Sequence, residues 1–346
     1  LRTASLEFLT RGAVGGLFFL LALARLHGAT TTAKAAQPPA PAPFFFVQLS
    51  DPQFGMFTEN ADFVQETVNF ERAVAAINRL RPAFVVITGD LVNRAGDRAQ
   101  IAEYLRLVAL IDRAIPVHHV SGNHDLGNVP TPASIAAYTN VFGPDHYTFR
   151  HEGLVGIVLN STLIQAPQRA EAWQAEQERW LQAELEQART AKALHVVIFQ
   201  HHPWFLSAPD EPDQYFNIPR VRRATHLAWF RQAGVRYLFC GHYHRNAIAR
   251  DGRLEVVTTG PVGKPLGPDK SGLRIVIVRA DRIEHRYYAL DDVPLRLELG
   301  PDAGNAGLRR PHSEPSARVL PNPIALGRVV EDPPASSAFI ALVPTH

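Results

Sequence analysis

The chain has 346 residues, 46% of them hydrophobic, enough for one large domain or two ordinary ones with a real core. Its 35 basic and 33 acidic side chains nearly cancel, and without the four bases and one acid of the first 35 residues, 31 bases face 32 acids. That balance gives no electrostatic case for nucleic acid, and the single cysteine, Cys240, excludes an internal disulfide and reads as a buried strand thiol.

At the N-terminus, Arg2 and Arg11 precede the run GAVGGLFFLLALA, and small residues including Ala33 and Ala35 follow. This is the order of a secretory signal peptide. The run is short for a bilayer span of roughly 20 residues, although Arg25 could snorkel and keep the segment as an uncleaved anchor. Residues 1–35 are therefore expected to export the chain to the periplasm or the extracellular space, with membrane attachment only if the segment is retained. Residues 36–43 form a Pro/Ala linker.

From Phe44 onward, apolar runs of strand length alternate with helical patterns: FFFVQLS, FVVITGD, IPVHHVSGNHD, LVGIVLNS, LHVVIFQHH and VRYLFCGHYH. Apolar residues at helical spacing predict a helix over 69–80, and Ala, Glu, Gln and Leu predict another over 171–187. Continuous apolar strands separated by helices indicate an α/β fold with a covered sheet. LEVVTTG, LRIVIVRA and RIEHRYYAL read as strands of a second sheet. Residues 294–346, with nine prolines, read as an irregular tail, in which SSAFIALV could dock as an edge strand.

The strand-length runs end in polar residues: Asp51 and Gln53, then Asp90, then Asn123, His124 and Asp125, then His201 and His202, then His242 and His244. In open α/β sheets, chemistry gathers at such carboxyl ends. Oxygen and imidazole donors suit divalent first-row metals, and no thiolate set for structural zinc is present. Two cations roughly 3.5 to 4 Å apart can polarise a phosphate, lower the pKa of a water and stabilise a leaving oxygen. A carboxylate such as Asp90 can bridge both. His242 and His244 would face opposite ways in an extended segment, so a turn after Gly241 is needed to bring both to one centre.

With these blocks in order, the chain resembles the calcineurin-like metallophosphoesterase superfamily, whose signature runs Asp-x-His, Gly-Asp, Gly-Asn-His-Asp or Glu, His, Gly-His-x-His. The resemblance covers about Phe44 to Val293, expected to form the catalytic domain (44–293). DPQFG, DQYFNIPRVRR and GHYHRNA point to the calcineurin-like phosphoesterase domain-containing branch of serine/threonine phosphatases. The resemblance implies a four-layer α/β/β/α sandwich of two mixed sheets. It implies that Asp51, Gln53, Asp90 and His244 surround one metal, and Asp90, Asn123, His201 and His242 the other. His124 would be the proton donor or charge stabiliser. Asn93 stands where calcineurin-type phosphatases carry an acid that orients this histidine, and where purple acid phosphatases carry a metal-bound tyrosine. An iron-tyrosinate enzyme is thus not expected, and a protonated His124 should have less support.

Taken alone, Asp51 before Pro52 reads as a turn or helix-cap aspartate and Asp90 as a strand-terminal turn residue; the complete set of blocks favours ligation. The His-x-Pro pattern selects His201 over His202. His118 and His119 read as packed or second-shell residues, and His146, His151, His226 and His285 as structural or exposed. Asp125, Arg245 and Asn246 could orient the site or meet phosphate, with surface roles for the last two equally open. The loop from Pro203 to Arg220 could select substrate. Trp204, Phe205, Tyr215 and Phe216 could line a cleft, with packing favoured for at least half of them, and Asp210, Glu211 and Asp213 read as solvated.

The expected activity is hydrolysis of phosphate monoesters, phosphoserine or phosphothreonine in protein among them, by metal-activated water with two divalent ions (Mn, Fe, Zn or Mg). A phosphodiesterase is the alternative on the same site, and a degenerate binding module is the alternative from another class. Gln53 in place of the usual histidine should hold the metal beside Asp51 less tightly or favour a harder ion.

Overall fold

The computed structural model describes residues 41–300. The segment 1–35, most of the linker 36–43 and the tail beyond residue 300, with SSAFIALV, lie outside the described residues. Among the described residues, no helix is long and apolar enough to cross a membrane.

Two sheets carry the fold. One runs β11 (Ile283–Ala289), β10 (Gly272–Val278), β1 (Phe44–Leu49), β2 (Val85–Thr88) and β3 (Val117–Val120). The other runs β4 (Tyr147–His151), β5 (Leu154–Val158), β6 (His195–Phe199), β7 (Tyr237–Cys240), β9 (Leu254–Thr258) and β8 (Ala247–Asp251). Both are mixed: β1, β2 and β3 pair in parallel, as do β5, β6, β7 and β9, while β10, β11, β4 and β8 join antiparallel.

The two-residue period of β1 assigns the layers. Phe45, Val47 and Leu49 share a core with Phe70 and Ile77 of α1 (Val64–Leu80), Tyr104 and Leu107 of α2 (Arg98–Val108), and Ile135 and Tyr138 of α4 (Pro132–Phe142). Phe46 points the other way, into a core shared by both sheets, where its ring meets Phe199 and Phe239 edge-on at 5.6 and 5.7 Å. Leu181 and Leu185 of α6 (Glu171–Thr190) and Leu227 and Phe230 of α7 (Arg220–Ala233) cover the second sheet. This is the four-layer α/β/β/α sandwich. Truncating Phe46 to Ala, which would open a cavity between the sheets, is worth about 3–5 kcal/mol.

The helix read over 69–80 begins earlier, at Val64, whose N–H donates to Asp62 Oδ1 at 3.0 Å. Val64 and Val68 are exposed, so the first turn carries no apolar period. At the end of β1, Gln48 joins the sheets through polar contacts: Nε2 donates to Thr88 Oγ1 (3.0 Å) and the Cys240 carbonyl (3.1 Å), and Oε1 accepts from Thr259 Oγ1 (2.7 Å). Cys240 is free and buried, its thiol pushed up to about 12 by that burial, an inert core position. Past β11, residues 294–300 are irregular, with Leu297 and Leu299 packed on the first core.

Candidate metal centre

The sheet registers place the acidic and imidazole side chains in one row. Leu49 pairs with Ile87, and the ladder continues as Asp51 N–H to the Gly89 carbonyl (3.2 Å) and Gln53 N–H to the Asp90 carbonyl (2.8 Å). On the other sheet Phe199 pairs with Phe239, and Gly241 N–H reaches the His201 carbonyl at 2.9 Å. Asn123 and His124 open the short helix α3 (Asn123–Leu126) after β3. Ten described non-glycine residues have left-handed backbone, and Asp51, Gln53, Asp90, His242 and His244 are half of them. Such conformations cost free energy and persist where surroundings fix them. At His242 and His244 they supply the turn that two histidines, two apart, require.

Each of the three expected histidine ligands spends one ring nitrogen on a main-chain carbonyl. His201 Nδ1 donates to Thr88 O (2.9 Å), His242 Nε2 to Tyr215 O (3.1 Å) and His244 Nδ1 to Lys264 O (2.6 Å). Carbonyls only accept, so these bonds fix the tautomers and direct the other nitrogens inward. There His201 Nε2 lies 3.2 Å from Asp90 Oδ2, 3.0 Å from Asn123 Oδ1 and 3.1 Å from His242 Nδ1, and His244 Nε2 lies 3.4 Å from Asp51 Oδ1. Asn123 Nδ2 donates to Asn128 Oδ1 (2.9 Å) and Tyr215 Oη (3.3 Å), leaving its oxygen for the centre. Gln53 Oε1 is buried with no hydrogen-bond partner.

Burial works against charge on His201, but Asp90 and Asp51 push it up to about 9. Burial and the neighbouring His201 push His242 down to about 3. Burial alone would raise Asp90, yet His201, His124 and His242 hold it well below the usual carboxylate range. A proton on His201 thus offsets the carboxylates where a cation would. The buried unpartnered amide oxygen and the inward nitrogens fit divalent cations. Asp51, Asp90 and His201 converge closely enough to share an ion, as do His201, His202 and His242.

His202 is held differently, by a hydroxyl rather than a carbonyl. Ser161 Oγ accepts the N–H groups of His201 (3.2 Å) and His202 (2.9 Å), so its own proton goes to His202 Nδ1 (2.9 Å), leaving the ring proton on Nε2. Burial keeps that ring neutral, its pKa well below the ordinary value. Asp125 clamps the loops beneath: Oδ1 accepts from Leu91 N (2.9 Å) and Val92 N (3.2 Å), and Oδ2 from Gly122 N (2.8 Å). Gly122 has to be glycine, because a Cβ there would lie 2.1 Å from Asp90 Oδ1.

His124 is only partly buried, with its N–H on Asp90 Oδ1 (2.9 Å) and its Nδ1 on the Asn93 carbonyl (2.8 Å). The main chain of Asn93, not its side chain, orients His124, because the Asn93 amide is engaged by Gln53 and Asn60. Arg245 and Asn246 are held by neighbouring loop and strand groups. Arg245 Nε donates to Leu266 O (2.8 Å). Asn246 Nδ2 meets Asp269 (3.2 Å), and its Oδ1 accepts from buried Arg274 (2.8 Å). His118 stacks on Phe149 (3.7 Å), and His119 Nδ1 bonds Tyr104 Oη (2.7 Å). Trp204 and Phe205 are core, whereas Tyr215 is 56% exposed and lies against His242 (ring centroids 4.9 Å). Glu211, read as solvated, is buried as the acceptor for Leu206 N, Ser207 N and Asn217 Nδ2. Ser161, Lys264 and Thr88 carry no motif and emerge only from the contacts.

A family model described as calcineurin-like phosphoesterase matches residues 46–246. The serine/threonine-protein phosphatase CPPED1 of Bos taurus is 40% identical over 266 residues, 72% of this chain and 85% of that protein. Its Homo sapiens counterpart is 37% identical over 297 residues, 81% of this chain and 93% of that protein. A purple acid phosphatase structure from yellow lupin (Lupinus luteus) aligns over 75% of this chain and 53% of that one, with TM-score 0.56 and 12% identity, a likeness in fold. The chain belongs to the calcineurin-like phosphoesterase family, as a metallophosphatase on the branch that holds these CPPED1 relatives.

Proposed function

We propose that the chain is a dinuclear metal-dependent phosphomonoesterase acting on phosphoserine or phosphothreonine in protein. The supporting observation is the row of inward donors with His124 at its partly exposed edge, together with relatives named as serine/threonine-protein phosphatases. Asp51, Gln53, Asp90 and His244 would hold one cation, and Asp90, Asn123, His201 and His242 the other. Bound there, the cations supply Lewis-acid stabilisation of phosphoryl charge and a nucleophilic water. His124 Nδ1 donates to a carbonyl, so Nε2 of the imidazolium form is the nitrogen that would give a proton to the leaving oxygen as the P–O ester bond breaks, leaving the ring neutral. Tyr215 and Phe216 flank His242 and present an aromatic wall to the alcohol side of a substrate.

The test loads purified full chain with Mn2+ and compares a phosphothreonine peptide, para-nitrophenyl phosphate and bis-para-nitrophenyl phosphate. Monoester turnover exceeding diester turnover, abolished in metal-loaded Asp90→Ala and Asn123→Ala, is the expected result. Diester preference would move the chain to the phosphodiesterase reading, and unchanged activity in both variants would remove the site.

A further inference from the structure

Gln53 can ligate a cation only through its oxygen, and its amide is free in principle to turn either face inward. What fixes it is a chain of amides. Gln53 Nε2 donates to Asn93 Oδ1 (3.0 Å), Asn93 Nδ2 donates to Asn60 Oδ1 (2.8 Å), and Gln100 Nε2 donates to the same Asn60 oxygen (2.8 Å). Gln100 Oε1 accepts the main-chain N–H groups of Asn93 (3.1 Å) and Arg94 (2.9 Å). Those N–H groups can only donate, so Gln100 must present oxygen to them and Nε2 to Asn60. Asn60 must then present oxygen, Asn93 must present Nδ2 to Asn60 and Oδ1 to Gln53, and Gln53 must keep Nε2 on Asn93. Its oxygen is left over, buried and unpartnered. Amide orientation follows from such networks, and this one is anchored at a main-chain end that cannot flip.

The local sequence builds the chain of amides. Asp97 caps α2, accepting from Gln100 N at 3.2 Å, and so places buried Gln100 in the first helical turn. Asn60 has left-handed backbone (φ 71), which Asn tolerates better than most residues, and its N–H closes on Gly55 O at 2.7 Å. Gly55 (φ 104) lets the turn approach: a Cβ there would sit 2.6 Å from Gln100 Nε2 and 2.9 Å from Asn60 Oδ1.

We propose that Gln100 and Asn60 are positioning residues that hold Gln53 oxygen-inward and thereby set cation affinity on the Asp51 side of the centre. This rests on the metal-centre reading above. Gln100→Glu keeps the two main-chain bonds but sets a carboxylate oxygen against Asn60 Oδ1. Relief requires Asn60, Asn93 and Gln53 to turn over in sequence, which presents Nε2 to the cation. Asn60→Asp offers oxygen to both donors and keeps the polarity. Asn60→Gly keeps the left-handed backbone, removes the amide and leaves α2 untouched.

Calorimetric titration of the metal-free full chain with Mn2+, with metal content measured in parallel, reads the outcome without any assay of turnover. In Gln100→Glu one of two sites should weaken at least tenfold while the other changes less than about threefold, and Asn60→Gly should weaken the same site several-fold. Asn60→Asp should stay within about threefold of wild type, and Gln53→Glu added to Gln100→Glu should regain the site, since either face of a carboxylate is oxygen. Two wild-type sites with Gln100→Glu or Asn60→Gly unchanged, or with Asn60→Asp as weak as Gln100→Glu, would overturn the proposal. If Gln100→Glu does not fold, the Asn60 pair decides. A wild-type chain that binds no Mn2+ would instead overturn the metal-centre reading itself.

Discussion

His242 Nε2 lies 3.1 Å from the Tyr215 carbonyl, so a histidine at the end of one strand is hydrogen-bonded to the most exposed aromatic residue of the loop between β6 and α7. The same tyrosine reaches Asn123 Nδ2 through its hydroxyl at 3.3 Å. A substrate contact on the Tyr215 ring is therefore one residue away from two expected ligands.

Separating these contacts gives the first prediction. Tyr215→Phe removes only the hydroxyl, and Asn123 Nδ2 keeps Asn128, so Mn2+ affinity should change by no more than about tenfold, in keeping with a neutral hydrogen bond worth about 0.5–1.5 kcal/mol. Tyr215→Ala removes the ring proposed to face the substrate but not the carbonyl that holds His242. Its KM for a phosphothreonine peptide should rise by roughly three- to tenfold with little change in kcat, as expected for lost uniform binding. Steady-state kinetics on the peptide check both; a fall in kcat at constant KM would place Tyr215 in the chemistry.

His124 is held by a carbonyl and is not among the inward donors. His124→Ala should keep full Mn2+ stoichiometry while kcat falls by about 10² to 10⁴ on a phosphothreonine peptide, the range for loss of a general acid. The loss should be smaller on para-nitrophenyl phosphate, whose leaving oxygen needs no proton. Equal losses on the two substrates would assign His124 to charge stabilisation.

The third prediction follows from the His201 proton. In the metal-free fold its pKa, about 9, stands above the ordinary value of 6.5. Its contribution to stability is fully present below about 6.5 and is lost as pH rises through about 9. The metal-free chain should thus lose Tm across this window. A cation must displace the same proton, so Mn2+ affinity should rise over that interval, by up to about tenfold per pH unit. Titrations in buffers of different ionisation enthalpy should show about one proton released near pH 7.5. No release would mean His201 is already neutral in the metal-free fold.

Strand ends made the expected ligands legible, because Asp51, Asp90, His201 and His242 each follow an apolar run whose length and period are written in the chain. The turn at Gly241 was also legible, since two histidines two apart cannot share a face without it. Asn93 was legible as a position but not in its role: whether a side chain or a main-chain carbonyl meets His124 depends on what else competes for the amide. Gln100 and Asn60 carried no motif, since their meaning lies in hydrogen-bond polarity between residues 40 apart in sequence. Glu211 was misread for a similar reason. Acids in a Pro-rich loop are ordinarily solvated, and only the folded loop supplies the donors that bury this one.

Gln53→His gives a fourth prediction. An imidazole could donate one N–H to Asn93 Oδ1 and turn its bare nitrogen inward, so the chain of amides tolerates the change. Cation affinity on the Asp51 side should rise, with preference shifting from Mn2+ towards Zn2+ as a nitrogen donor replaces an amide oxygen. Competition binding between the two ions measures this. Unchanged affinity and preference would leave Asp51 without Gln53 as a co-ligand.

The last prediction concerns Asp125, where charge and hydrogen bonding pull in opposite directions. Burial and the nearby Asp90 push its carboxyl up to about 8, while the N–H groups of Gly122 and Val92 favour the anion. With Leu91, three main-chain donors converge on its two oxygens. Asn, though isosteric, can accept on one side only and must set its NH2 against at least one of those N–H groups. Measured above pH 8, where the carboxyl is ionised, Asp125→Asn should therefore destabilise the fold by roughly 2–4 kcal/mol, the cost of leaving one or two buried donors unmet. Because those donors position the loop of Asp90 and the start of α3, metal affinity should fall as well, although Asp125 is not itself among the inward donors. Denaturant unfolding of the metal-free variant isolates the stability term. A variant as stable as wild type would mean that Asp125 is protonated in the native fold and already presents only part of its acceptor capacity.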